Sequence, residues 1–140
     1  MRDLPAIAEA LLGAHRVLLV SHVSPDGDTI GSTLAIYWAL KSLDTSVRLA
    51  CDDKVPQEAA FLPGASEYTS LPHDGEDVVL AVDASDLRRV GDIVANIDLN
   101  AVTFAQIDHH TTNQGFASLN YVRHTSATAE LALELVRLLG

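Results

Sequence analysis

The apolar residues of this chain fall into short continuous runs and longer stretches in which they recur every three or four positions. Two runs, residues 17–20 and residues 78–82, contain no polar side chain. Continuous apolar runs of this length are typical of parallel strands that are covered on both faces. We therefore predict strands at residues 17–21 and 78–82.

The remaining elements are predicted from alternation and from helical spacing. Apolar side chains recur at every second position in residues 45–51, and residues 101–107 are mostly apolar, so both ranges are predicted strands. Residues 116–122 are expected to form an extended edge strand. Helical spacing predicts helices at residues 4–12, 31–43, 86–97 and 125–139, and a short helix within residues 52–62. Gly91 weakens the helix predicted at 86–97. Thr125 or Ser126 suits the N-cap of the last helix.

The order of these elements predicts an α/β fold. Strands that alternate with helices are typical of a doubly wound, mainly parallel sheet with helices on both faces and right-handed crossovers. A chain of 140 residues without a repeat or linker is expected to form one domain, residues 1–140. This length is sufficient to bury a core without disulfides.

Composition and charge exclude several functions. The net charge of −10 and the aromatic content of 5% argue against binding of long duplex nucleic acid. Cys51 is the only cysteine, so an internal disulfide and a cysteine-based zinc site are excluded. No apolar run approaches the ~20 residues that span a membrane, and no signal peptide is indicated. We therefore expect a cytoplasmic protein that has no membrane partner.

The ends of three predicted strands carry the side chains that bind metals. They are His22, Asp26 and Asp28 after the first strand, Asp83 after the third, and Asp108, His109 and His110 after the fourth. Because the carboxyl ends of parallel strands lie at one edge of the sheet, these side chains are expected to converge there. Imidazole and carboxylate groups suit a hard or borderline ion such as Mn²⁺ or Mg²⁺.

Most of these residues also have an ordinary structural explanation. An aspartate after a strand commonly caps the next helix, which applies to Asp26, Asp28 and Asp83. Three other histidines are interpreted as structural or exposed: His15, His73 and His124. Three further residues are interpreted as packing residues: Tyr37, Trp38 and Cys51. The structural explanation is weaker for the strand ends because all three carry such residues together.

Other α/β families fit less well. A haloacid-dehalogenase-type phosphatase and a phospho-accepting receiver domain both need a late lysine, and no lysine follows Lys54. A Rossmann module needs a glycine fingerprint, which residues 26–31 lack.

Four segments in order resemble the successive motifs of the DHH phosphoesterases: HVSPDGDTIGS, AVDASDLRRVGD, IDHHTTNQGF and TSATAELALELV. A fifth, DKVPQEAAFLPG, resembles the branch that degrades very short RNAs and dephosphorylates adenosine 3′,5′-bisphosphate. The resemblance implies a two-metal site, usually with manganese, for which Mg²⁺ or Co²⁺ are alternatives. It also implies a substrate that is a short oligonucleotide or a phosphorylated nucleotide.

The resemblance also implies a role for each residue at the strand ends. The first metal would be bound by His22, Asp26 and Asp83. The second would be bound by Asp28, Asp83 and His109, so that Asp83 bridges the two ions. Asp108 would orient or supplement the site, and His110 would contact the scissile phosphate.

Members of the family usually continue beyond the equivalent of Gly140. The continuation carries one further aspartate ligand and a smaller substrate-binding domain, so the 140 residues are expected to show impaired catalysis. Two alternatives stay open: a non-catalytic metal- or nucleotide-binding domain, and a manganese-dependent inorganic pyrophosphatase. The sequence leaves a homodimer open as well.

Overall fold

The computed structural model describes residues 1–140 and contains five strands and four α-helices. The strands are β1 (Arg16–Ser21), β2 (Ser46–Ala50), β3 (Val78–Val82), β4 (Thr103–Asp108) and β5 (Leu119–Val122). The helices are α1 (Leu4–Leu12), α2 (Gly27–Ser42), α3 (Leu87–Val90) and α4 (Thr128–Leu139). Single 3₁₀ turns lie at Gln57–Ala59, Ala65–Glu67 and Asp92–Val94.

The five strands form one sheet in the order β2-β1-β3-β4-β5, and every neighbouring pair is parallel. This confirms the predicted parallel sheet and the edge position of β5. The chain leaves β1 for β2 on one side and later returns to β3 on the other. In open α/β sheets, ligands bind at such a reversal, beyond the carboxyl ends of the strands.

Helices lie on both faces of the sheet, as predicted, but the two layers differ in thickness. Val17 and Leu19 of β1 face the larger core, which is completed by α1, α2 and α4. Leu18 and Val20 face a smaller core, which is covered by α3 and the turn Asp92–Val94. No helix combines the length and apolar character needed to cross a membrane.

The prediction of one helix over residues 86–97 is wrong, because the α-helix ends at Val90 and Gly91 follows in a non-helical conformation. Only α3 is α-helical there, and Gly91 follows it with φ 101°, outside the helical region. The Asp52 carboxylate lies against Gly91 and accepts the backbone N–H groups of Asp92 and Ile93, at 2.7 and 3.1 Å. A contact from β2's end therefore replaces the helical hydrogen bonds of this segment.

Other boundaries also differ from the prediction. The short helix expected within residues 52–62 is the single 3₁₀ turn Gln57–Ala59. β4 begins two residues later than expected and extends to Asp108, and β5 begins three residues later, at Leu119. These shifts leave the order of the elements unchanged.

Both helices that approach the strand ends begin at unexpected positions. α2 begins at Gly27 rather than at residue 31, because the Asp26 side chain caps it by accepting the Thr29 N–H at 3.0 Å. α4 begins at Thr128, and neither Thr125 nor Ser126 is its N-cap. Its first N–H groups are instead bonded to a side chain from α2, as described below.

Candidate metal centre

The polar residues that follow β1, β3 and β4 converge at the carboxyl edge of the sheet. β3 lies between β1 and β4, so the residue after β3, Asp83, stands between the residues that follow the other two strands. The expected convergence is observed for His22, Asp26, Asp28, Asp83, His109 and His110.

Asp83 is the centre of this cluster and presents one carboxylate oxygen to each side. Its Oδ2 lies 3.5 Å from Nε2 of His22, and its Oδ1 lies 3.4 Å from Nε2 of His109. The Thr128 hydroxyl donates to the same Oδ1 at 2.7 Å. The Asp83 side chain is only 3% exposed, so its charge has little compensation from bulk water.

The two histidines are held by carbonyl groups at their other ring nitrogens. Nδ1 of His22 lies 2.6 Å from the Val23 carbonyl oxygen, and Nδ1 of His109 lies 3.2 Å from that of Thr125. A carbonyl only accepts, and the Val23 oxygen lies closer to His22 Nδ1 than the nearest competing donor, Arg89 Nη2 at 3.3 Å, so we assign the proton to Nδ1 in each neutral ring. The Nε2 lone pairs therefore point into the cluster, which is how metal-binding histidines are usually oriented.

Burial and charge act against each other at His22 and Asp83. Burial lowers the pKa of His22, but its bonds to Asp83 and Val23 and the nearby carboxylates raise that pKa above its ordinary value. Burial raises the pKa of Asp83, yet the bonds from His22 and Thr128 hold this pKa below its ordinary value. A negative Asp83 beside imidazoles is a favourable environment for a cation.

Two further carboxylates lie beside the histidines and also bind helix ends. Asp26 Oδ1 is 3.7 Å from His22 Nε2, and Asp28 Oδ2 is 3.7 Å from His109 Nε2. Asp26 is the cap of α2, whereas Asp28 accepts the N–H groups of Thr128 and Ala129, both at 3.0 Å. The expectation that such an aspartate caps the next helix is confirmed for Asp26, whereas Asp28 lies inside that helix and caps the distant α4 instead. Their role as metal ligands stays a prediction.

The backbone at Asp83 adopts an unusual conformation. Its φ is 71°, in the left-handed region that non-glycine residues rarely enter. The Asp83 N–H donates to the Ile107 carbonyl at 2.9 Å, which continues the bonding between β3 and β4 for one residue. Such strain is typical of functional sites, where the surrounding structure holds a side chain in one direction.

Asp108 points away from the cluster, into the protein. Its side chain is fully buried; Oδ1 lies 2.6 Å from His110 Nδ1, and Oδ2 accepts from Asn113 Nδ2 at 2.8 Å. Asp108 therefore holds the His110 ring, and the part of His110 left free is Nε2. The geometry agrees with the orienting role of Asp108.

The donor atoms fall into two groups that have the chemistry of divalent-metal sites. His22, Asp26 and Asp83 form one group, and Asp83, His109 and His110 form the other, with ligand atoms within 4.8 Å of one another in each. Imidazole nitrogen and carboxylate oxygen fit Mn²⁺ and similar ions. The second group therefore contains His110 and not Asp28, whereas the family resemblance implied Asp28 as a ligand and His110 as the phosphate contact.

Three residues near the cluster were not identified from the sequence. Thr128 is buried against Asp83, and Asn113 is bonded to Asp108. Arg89 Nη2 lies 3.3 Å from His22 Nδ1. All three lie inside the motifs quoted above, but threonine, asparagine and arginine are too common in loops and helix starts for their contacts to be predicted.

The other residues that were singled out are structural. His73 Nε2 lies 2.7 Å from the Glu76 carbonyl oxygen. Burial raises the pKa of the Cys51 thiol to about 11, which agrees with a core residue. Tyr37 is buried, whereas Trp38 is 46% exposed and donates to the Pro63 carbonyl. His15 and His124 are exposed and lie outside the cluster.

The comparison with protein families agrees with this geometry. The sequence pattern of the family described as "DHH family, N-terminal domain" matches residues 16–139, which is most of the chain. The fold and the strand-end cluster define an α/β domain with a candidate metal site, and the chain belongs to the DHH family. The predicted family resemblance is confirmed.

Particular relatives can be named as well. The chain is 36% identical over 145 residues to the bifunctional oligoribonuclease and PAP phosphatase NrnA of Thermus thermophilus, covering 100% of this chain and 41% of the relative. It is 28% identical to an exopolyphosphatase-related protein from Bacteroides fragilis, with a TM-score of 0.84 over 99% of this chain and 44% of that one. RecJ from Thermus thermophilus, solved with Mn²⁺, shares the fold at 20% identity, with a TM-score of 0.63 over 99% of this chain and 21% of RecJ.

Proposed function

We propose that this chain is the metal-binding domain of a phosphoesterase that acts on short oligonucleotides or adenosine 3′,5′-bisphosphate. The observation that carries the proposal is the position of Asp83, whose two oxygens each face the Nε2 atom of a different histidine. One carboxylate shared in this way is suited to bridge two ions. The 36% identity to a protein named oligoribonuclease and PAP phosphatase supports the substrate class.

The residues present fit two divalent ions. His22, Asp26 and Asp83 would hold the first, and Asp28, Asp83 and His109 the second, with Mn²⁺ the proposed ion and Mg²⁺ or Co²⁺ as alternatives. Asp26, Asp28 and Asp83 together carry about −3, against about +4 for two such ions. The resulting positive balance favours a phosphate at a protein whose net charge is −10.

In a reaction at this site, bound divalent ions would supply Lewis acidity toward phosphoryl oxygens and would acidify water. The protein's own contribution is to hold the groups in place. His22 and His109 keep their Nε2 lone pairs directed inward through the carbonyl bonds at Nδ1. His110, held at Nδ1 by Asp108, would donate from Nε2 to a phosphoryl oxygen when both ring nitrogens carry a proton, and would so place the ester for attack.

The two ions are proposed to bind with unequal affinity. The Asp28 carboxylate accepts three hydrogen bonds, from Ser32, Thr128 and Ala129, and this leaves it less able to act as a ligand than Asp26. The second ion would also be repelled by the first. We therefore expect one tight site and one weak site in these 140 residues.

Calorimetric titration with Mn²⁺ tests the metal site. Asp83→Asn should weaken binding of both ions, whereas Asp28→Asn should weaken only the second, because an amide loses the charge and one anionic oxygen. Asp74→Asn is a matched control, because Asp74 is exposed and precedes the amino end of β3. Equal losses in the Asp83 and Asp28 variants would argue against a bridging role.

Activity assays distinguish the proposed function from its alternatives. The chain spans 41% of the length of its NrnA relative. We therefore expect weak turnover from these residues. The turnover rate should rise when a segment equivalent to the rest of the relative is added. A dinucleotide, adenosine 3′,5′-bisphosphate and pyrophosphate should each be offered with and without Mn²⁺. Hydrolysis of pyrophosphate alone would support the pyrophosphatase, which the similarity to an exopolyphosphatase-related protein makes worth testing. Mn²⁺ binding without any turnover, even in the longer protein, would support a non-catalytic binding domain.

A further inference from the structure

A buried network of amide side chains lies directly behind His110. Asn113 and Gln106 are 5% and 0% exposed and bond to each other through both amide groups. Asn120 joins the network by accepting from Gln106 Nε2 at 2.6 Å. Buried polar networks in which each member has partners fix a single arrangement of their side chains.

Asn113 connects this network to the site through its Nδ2 group. Nδ2 donates to Asp108 Oδ2 at 2.8 Å, and it lies 3.1 Å from the carbonyl oxygen of Ala84, the residue after Asp83. Because Asp108 Oδ1 is bonded to His110 Nδ1, both oxygens of this fully buried carboxylate have a partner. Without the Asn113 amide, Asp108 Oδ2 would lose its only hydrogen-bond donor.

We infer that Asn113 is a positioning residue, which fixes the His110 ring through the Asp108 carboxylate. This inference rests on the proposed function of His110 as the group that meets the phosphate. A carboxylate held at both oxygens cannot rotate, so His110 Nδ1 keeps its proton and Nε2 keeps its direction. Groups that orient a reacting side chain in this way commonly contribute about 10–100-fold in activity.

The amide oxygen of Asn113 has a separate, structural role. Its Oδ1 accepts the Gly115 N–H at 2.8 Å and the Gln106 Nε2 at 3.1 Å. Two variants distinguish the donor from the acceptor. Asn113→Ala removes both, whereas Asn113→Asp keeps the acceptor and places an oxygen where Asp108 needs a donor.

The first test measures the His110 ring directly, without substrate. Long-range proton–nitrogen NMR at about pH 8, where an ordinary histidine is neutral, should show His110 protonated at Nδ1 in one ordered state. Both Asn113 variants should lose this ordered signal, whereas Asn120→Ala should keep it, because Asn120 does not contact Asp108. An unchanged His110 signal in both Asn113 variants would overturn the inference.

The second test measures turnover of a dinucleotide with Mn²⁺. Both Asn113 variants should lower kcat by about 10–100-fold, while the affinity for Mn²⁺ changes less than threefold. Asn113→Asp should be at least as harmful as Asn113→Ala. A purely structural role predicts that kcat per folded molecule stays near the parent value in both variants while their stability falls, and this result would refute the inference. If neither the parent chain nor the longer protein shows turnover, the proposed function fails, and the NMR comparison still decides the role of Asn113.

Discussion

The Asp28 carboxylate accepts the backbone N–H of Thr128 at 3.0 Å, across a separation of 100 residues in the sequence. It also accepts the N–H of Ala129, so a side chain from the first turn of α2 caps α4. The residue at the N-cap of α4, Ala127, has no side chain that could do so. A negative group at a helix amino terminus is favourable because the N–H groups there lack partners.

Asp28→Ala is therefore expected to destabilise the protein even when no metal is present. The loss of a helix cap costs about 1–2 kcal/mol, and Asp28→Asn should cost less because its amide oxygen still accepts. Urea unfolding in the presence of a chelator measures the change. Asp74→Ala is the control, and similar unfolding of the Asp28 and Asp74 variants would show that the cap contributes little.

His110→Ala is expected to leave Mn²⁺ affinity nearly unchanged and to weaken the binding of phosphate or a nucleotide. The reason is that Asp108 holds His110 Nδ1, which directs the ring separately from the adjacent His109. Calorimetry with Mn²⁺, followed by titration with adenosine 3′,5′-bisphosphate, measures both effects. His110 is also close to Asp83 and His109. A large loss of Mn²⁺ affinity in this variant, with His109→Ala milder, would show that His110 is the ligand.

Gly91→Ala is expected to destabilise the protein more than an ordinary loop substitution. The residue has φ 101°, and a Cβ there would lie 2.4 Å from Asp52 Oδ2. Strain and displacement of Asp52 together should cost about 2–4 kcal/mol.

Gly31→Ala provides the matched comparison, measured by the same urea unfolding. Gly31 lies inside α2, and its added Cβ would have no atom within 4 Å. Alanine favours a helix interior, so this variant should gain about 0.5–1 kcal/mol. Equal effects of the two alanine substitutions would contradict the assigned role of Gly91.

The free energy of unfolding should decrease at acid pH because Glu76 becomes protonated there. Burial raises the pKa of Glu76, but the Arg48 guanidinium, 2.6 Å away, and the Asp74 N–H lower it below the ordinary value. A lowered pKa in the folded state means that this stabilisation is complete above the unfolded pKa of about 4.3. It is lost as the pH falls through the folded pKa.

Unfolding of the parent and Glu76→Gln proteins across this range measures the contribution. The variant should be less stable by about 1.5–3 kcal/mol above pH ~5, and the difference should shrink at lower pH. A difference that stays constant down to pH ~3 would indicate that the pair contributes through packing rather than charge.

The sequence alone was sufficient to predict the parallel strands and the residues at their ends. Val78–Val82 is apolar at every position and Asp83 follows it directly, so the strand and its end residue are both visible locally. Parallel pairing then requires the carboxyl ends of neighbouring strands to lie together, which is why the cluster could be expected. The wholly local nature of these signals explains the success.

Tertiary structure decided the contacts that join distant segments. The predicted helix at residues 86–97 failed because Asp52, from another strand end, binds the backbone beyond Gly91. The start of α4 was misplaced because its cap is Asp28 rather than a residue of its own segment. Hydrogen bonds between residues 40 and 100 positions apart depend on how the chain packs, so they cannot be predicted from the local spacing of residue types.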